Sequence, residues 1–313
     1  MGSVTKATGG LAAALLIQAG LTAAPSAANA QQAVFVPCTA DRAAALNTAI
    51  TNANTARAGT IRLASFCDYS LTAPFSPTGT GRGPDGFLIN ARINIIGGRS
   101  TTISRAASAS KFRVLEVAPG AALFLRNVFI SGGDAATSPI PGVDTGGGIL
   151  SSRGNVQLDH VTVTGNTADS GGGISNDSGR FIVVETLISR NTSRGGGGGG
   201  IYNDGSLSVK LSRITGNHAN TNGGGVFNEF GRIEAFRTTI DRNTANANGG
   251  GLYNNSTGRA VLTLVLTEAN SAASGGGIFN AGITSRVTSI DSLIRANTPN
   301  NCAPPGSVLR CTG

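Results

Sequence analysis

Between residues 146 and 297 the chain restarts the same unit six times, each with a glycine triplet followed by an aliphatic residue. The triplets begin at Gly146, Gly171, Gly198, Gly223, Gly249 and Gly275. The residues that close them (Ile149, Ile174, Ile201, Val226, Leu252 and Ile278) are 25, 27, 25, 26 and 26 residues apart. A steady period of this size means one supersecondary unit stacked on copies of itself in a linear array.

Within a unit, a second glycine (Gly154, Gly179, Gly205, Gly231, Gly258, Gly282) is followed by alternating apolar positions: Val156 and Leu158, Phe181 and Val183, Leu207 and Val209, Ile233 and Ala235, Ala260 and Leu262. Period two is a strand with one face buried. A third apolar position stands three before an asparagine, at Val163, Ile188, Ile214, Ile240 and Ile294, with Thr267 as the exception. These positions predict about three short strands per unit and no helix. Length varies only between that asparagine and the next triplet, as expected where strands must stay in register and one loop need not. The class that fits is all-β, a single-stranded parallel β-helix.

Two asparagine columns follow from the period: Asn176, Asn203, Asn228, Asn254 and Asn280, and Asn166, Asn191, Asn217, Asn243, Asn270 and Asn297. A side-chain amide both donates and accepts and tolerates a left-handed bend, so amides stacked coil on coil can satisfy one another. Both columns are read as structural ladders. The sequons at Asn191 and Asn254 fall within them, which argues against glycosylation.

The ends differ from the middle. Residues 1–30 have the form of a secretory signal, with Lys6, an apolar run from Leu11 to Leu21, and Ala28-Asn29-Ala30. Residues 31–75 read as an N-terminal cap, in which Thr39 could cap a helix over 40–52 with Leu46 and Ile50 on one face. Strand-like runs then fall at 60–64, 93–96, 113–117 and 122–130. Residues 76–145 read as irregular coils with long loops at 76–86 and 132–145, 146–297 as regular coils, and 298–313 as a C-terminal cap. Cys38 with Cys67 and Cys302 with Cys311 are close in sequence, although four cysteines allow three pairings. Four cysteines and the signal-like start point to an oxidising, secreted or cell-surface destination, the absence of Cys-x-x-Cys argues against zinc or redox chemistry, and the chain is expected to be a monomer with no membrane span. The formal charge of +8 is almost all arginine and favours polyanions.

The Gly-Gly-Gly-aliphatic-x-Asn repeat with its asparagine columns resembles the right-handed parallel β-helix superfamily of pectin lyase-like proteins and the repeats of polymorphic outer-membrane proteins. Val36-Pro37-Cys38, Cys67-Asp68-Tyr69-Ser70-Leu71-Thr72 and Asn297-Thr298-Pro299-Asn300-Asn301-Cys302 resemble the cysteine-bearing caps of secreted bacterial β-helix proteins. The resemblance spans the mature chain and implies the fold. It implies little about activity, because the fold hosts many activities. Polygalacturonase-like members carry an Asp-Asp pair and Gly-His-Gly, and this sequence has neither. His160 and His218 read as solvent-exposed, His160 on an outward strand position.

Three columns remain that could carry function. Asp177, Asp204 and Glu229 follow the first asparagine column on successive coils, in an arrangement similar to the Ca²⁺ site of pectate lyases. Tyr202, Phe227, Tyr253 and Phe279 precede it, and strand alternation makes them an exposed aromatic stripe able to stack on sugar rings. Arg180, Arg232 and Arg259 follow the second glycine and could form a patch for acidic glycan. The leading expectation is a non-catalytic, exported β-helix presenting a flat face to polysaccharide or cell-envelope glycan, with no specific nucleic-acid partner and no cofactor beyond possible Ca²⁺. The alternatives are a polysaccharide lyase or glycoside hydrolase acting on acidic polysaccharide, and a surface adhesin.

Overall fold

The computed structural model describes residues 32–135, 144–282 and 286–311. The signal-like segment 1–30 and part of the expected loop 132–145 lie outside them. The repeat folds into a parallel β-helix. Each regular coil places one strand in each of three sheets, and neighbouring coils pair in parallel. Among the described residues, sheet I has ten strands (Val34–Val36 to Arg286–Ile290). Sheet II has nine (Asp85–Ile89 to Cys302–Ala303), and sheet III has nine (Asp68–Leu71 to Leu293–Arg295).

The alternation decides what lies inside. In sheet I Val156 and Leu158 pair with Phe181 and Val183, then Leu207 and Val209, and all are buried. The residue after each triplet supplies the core of sheet II, where Ile149, Ile174, Ile201, Val226, Leu252 and Ile278 stand in register. Val163, Ile188, Ile214 and Ile240 supply sheet III. Each such side chain contributes about 1.5–3 kcal/mol by leaving water. Thr267 stands in the same column, fully buried, and its hydroxyl has no hydrogen-bond partner.

Three strands per turn is one short in four coils. Thr167–Ser170, Thr192–Gly197, His218–Ala219 and Thr244–Ala245 form a further parallel sheet, sheet IV, inside the segment of variable length. Two of its strands are only two residues long and the two longer ones do not alternate buried and exposed positions, so sequence patterning could not reveal them. The expected run 122–130 is two strands, Ala122–Arg126 and Phe129–Ser131, broken where Asn127 takes φ 54°.

That break recurs once per coil. Asn127, His160, Glu185, Leu211, Arg237, Leu264 and Asp291 all sit in the left-handed region between sheets I and III. His160 is thus at a bend (φ 55°) and not on an outward strand position. One left-handed residue turns the chain sharply at about 1–2 kcal/mol for a residue with a side chain. The stacked ladders on either side hold it there.

The caps match their sequence signals with small shifts. The helix runs Arg42–Thr55, starting after Asp41 and not after Thr39, whose hydroxyl instead donates to Asp41 Oδ1 at 2.7 Å. Its buried face is Leu46, Ala49, Ile50 and Ala53. Asn54 pins it to sheet II by donating to Leu88 O (2.9 Å) and accepting from Asn90 N–H (3.0 Å). Disulfides join Cys38 to Cys67 and Cys302 to Cys311. No helix among the described residues is long and apolar enough to cross a membrane.

Candidate functional site

The asparagine columns are interior ladders. In the column from Asn166 to Asn297 each Nδ2 donates to the Oδ1 of the next rung at 2.9–3.0 Å, and that oxygen also accepts the preceding rung's backbone N–H. From Asn176 to Asn280 the amide-to-amide distances are 2.7–2.9 Å. All are buried, including the two sequon asparagines. The asparagines do not themselves take the left-handed bend. The residue before each rung of the longer column does: Gly165, Arg190, Gly216, Arg242, Ala269 and Ala296. The amides fill the corner that this bend opens.

On the outer face of sheet II, Tyr202, Phe227, Tyr253 and Phe279 occupy one register column. Their rings stack on one another with centroids 5.5, 4.9 and 5.4 Å apart and planes within 12°. The expected exposed stripe is therefore altered in two ways. Ring faces spaced by the coil repeat are taken up by each other, leaving edges outward. Phe227 is buried, with Gly197 of sheet IV so close that a Cβ there would come within 2.8 Å of its ring. The other three are half-buried.

The acidic column lies beside the tyrosine hydroxyls. Asp177, Asp204 and Glu229 are half-buried on consecutive coils, linked by backbone bonds from Asp204 N to Asn176 O and from Glu229 N to Asn203 O. Burial raises the Asp204 carboxyl, opposed by the Ser178 hydroxyl and reinforced by Asp177; Ser178 Oγ is 3.3 Å from both carboxylates. Burial also raises Glu229, which accepts from Asn255 Nδ2 at 2.9 Å. Burial, then Glu229, Asp204 and Asp177, push the Tyr202 phenol above its ordinary range, and Tyr253 is raised by burial and Glu229. The two hydroxyls stay neutral donors beside carboxylate acceptors.

The far end of this face carries a feature that the sequence did not reveal. Residues 76–85 close on themselves through Ser76 and Asp85 (2.8 and 3.1 Å) and form a strap. The strap places Arg82 on Asp177 at 2.5 Å. Beneath it Arg113, fully buried, donates to Asp85 Oδ1 (2.9 Å), Arg82 O (2.7 Å) and Thr145 O (3.2 Å). Glu116, also buried, accepts from Thr80 and from Ser152 Oγ (3.0 Å). Burial pushes the Asp85 carboxyl up to about 9 against the pull of Arg113, and Glu116 stays low through hydrogen bonds from Asp85 and Thr80. One neutral acid, one carboxylate and one guanidinium thus lock the strap. The contacts join residues about a coil apart outside the regular repeat, so no period announces them.

Arg180, Arg232 and Arg259 stand exposed in one column on the outer face of sheet I, which continues to Arg92 and Arg286. The structure thus places them on a different sheet from the aromatic and acidic columns. His160 bridges Asp159 (2.6 Å) and Glu185 (2.7 Å) at the surface, and His218 contacts Asn220 Oδ1 (3.0 Å). Among the described residues, no three His, Cys, Asp or Glu side chains converge in a way that could hold a metal ion.

No protein-family model matches the chain, and no curated protein matches it. Among solved structures it is similar to the Azotobacter vinelandii mannuronan C-5 epimerase AlgE4 A-module. The match is 12% identical, covers 89% of this chain and 97% of that one, and has a TM-score of 0.30. A likeness of that size carries no inference about chemistry.

Proposed function

We propose that this chain is an exported, non-catalytic β-helix that binds glycan along the outer face of sheet II, between Arg82 and Tyr253. One observation carries the reading. On consecutive coils, half-buried carboxylates stand beside tyrosine hydroxyls held neutral, a rigid run of acceptors and donors with apolar ring edges between. Sugar hydroxyls pair with such a run by charge-assisted hydrogen bonds, and each pair contributes roughly 1.5–3 kcal/mol. Three carboxylates against one guanidinium favour neutral or amine-bearing glycans over polyuronates. The two disulfides fit an oxidising, extracellular setting.

The test is glycan-array retention followed by calorimetry on the full chain. Asp204→Asn with Glu229→Gln should weaken binding about tenfold or more, the scale of one lost charge-assisted contact, with little change in Tm. Unchanged affinity in that variant sinks the assignment. Calcium and EDTA arms ask whether a cation bridges Asp177, Asp204 and Glu229. Steady release of unsaturated or reducing sugar ends would replace this reading with the lyase or hydrolase.

A further inference from the structure

The outer face of sheet I holds a depression of about 410 Å³. Two register columns line it. The first runs Arg92, Ala122, Asn155, Arg180 and the second Asn94, Phe124, Gln157, Ile182. Concavity follows from the first column, where two short side chains lie between two long ones. The arginines are three strand steps apart, about 14 Å at ~4.8 Å per step. Both are exposed, and neither has a carboxylate within ion-pair distance among the described residues. In contrast, Arg126 and Arg232 on the same sheet are neutralised by Asp159 and Glu234. The floor mixes amides with Phe124 and Ile182, all half-buried.

We infer that this depression binds a short stretch of acidic glycan, lying along the coil axis with a carboxylate or sulfate at each arginine. Its amides would meet ring hydroxyls, and Phe124 with Ile182 would meet the apolar face of a sugar. The floor is two outward columns wide, about 7 Å between positions two residues apart, which admits one extended chain. Charge density selects against nucleic acid: duplex DNA presents about eight charges over ~14 Å, against two guanidinium groups here. The inference is independent of the sheet II reading, because no residue is shared and the two faces differ in charge sign.

Calorimetry on the full chain tests it, with a uronate tetrasaccharide and a sulfated tetrasaccharide as probes. A neutral tetrasaccharide and a single-stranded DNA oligonucleotide serve as comparisons. At least one acidic probe should bind, and Arg92→Gln with Arg180→Gln should weaken it about tenfold or more while the neutral probe's own affinity stays unchanged. Arg92→Lys with Arg180→Lys should restore part of that loss. Both arginines are exposed, so an unchanged melting curve confirms that the variants fold. Failure of both acidic probes to bind, full acidic-probe affinity in the glutamine variant, an equal loss of neutral-probe affinity in that variant, or tighter binding of the oligonucleotide would each overturn the inference.

Discussion

Asn217→Ala tests whether the amide ladder holds the coils together. The Asn217 side chain makes four bonds: Nδ2 donates to Ile188 O (3.0 Å) and Asn243 Oδ1 (2.9 Å), and Oδ1 accepts from Asn191 N (3.0 Å) and Asn191 Nδ2 (3.0 Å). After truncation two of these partners keep a bond. Asn243 Oδ1 still accepts Asn217 N (3.0 Å), and Asn191 Nδ2 still donates to Val163 O (3.0 Å). The buried Asn191 N–H is left with no acceptor, and Ile188 O loses its side-chain donor. Counting about 1 kcal/mol for each redistributed bond and about 1–3 kcal/mol for the orphaned donor, the loss is about 3–5 kcal/mol. Urea unfolding should register it, and amide exchange should accelerate most at Asn191 and its two neighbouring coils, since each coil contacts only its neighbours. Asn220→Ala, at an exposed position outside both ladders, is the control and should stay within about 0.5 kcal/mol. A loss below about 1 kcal/mol at Asn217, or uniform exchange along the solenoid, would refute the reasoning.

Gly224→Ala should abolish folding or cost several kcal/mol, because its Cβ would lie 2.4 Å from Thr244 O. Gly216→Ala has open space, and its column already holds Arg190 and Ala269 in the left-handed region, so denaturation should show a loss of only about 1 kcal/mol. Thr267→Val removes a buried hydroxyl without a partner and should raise stability by about 1–2 kcal/mol in the same assay. Asp85 is protonated in the folded state up to about 9 but ionises near 3.8 when unfolded. The folded state therefore binds the extra proton across that window, and this group's contribution to stability falls as pH rises through it. Asp85→Asn should flatten that fall, by at most about 1.4 kcal/mol per pH unit, in unfolding curves taken from pH 4 to 9; an unchanged slope would place the ionisation elsewhere.

The regular coils were legible because their chemistry repeats. Glycine, aliphatic and asparagine positions recur at one period, and each has a single job inside the stack. Features that depend on contacts outside that period were not. The strap reaches Glu116 and Asp177 from Thr80 and Arg82, and nothing in its glycine-rich sequence says where it lies. Sheet IV buries about one side chain per strand in most of its coils, too few to alternate. Strand parity assigns the aromatic column to the outer face of its sheet, yet parity says nothing about ring rotation or about what covers Phe227. At one aromatic per coil the rings meet face to face and close the surface that a sugar would have stacked on. The arginine column was visible, but its depression was not, because Arg92 and Ala122 lie before the regular repeat and only strand pairing brings them into register with Asn155 and Arg180.

The glycan-binding account is tested most directly by following the Tyr202 and Tyr253 ring resonances by NMR, while the full chain is titrated with the neutral oligosaccharide best retained on an array. The account predicts saturable shifts at both tyrosines, abolished by Asp204→Asn with Glu229→Gln, and an oligosaccharide recovered intact. Saturable binding that leaves both rings unshifted, or a ligand recovered cleaved, would contradict it.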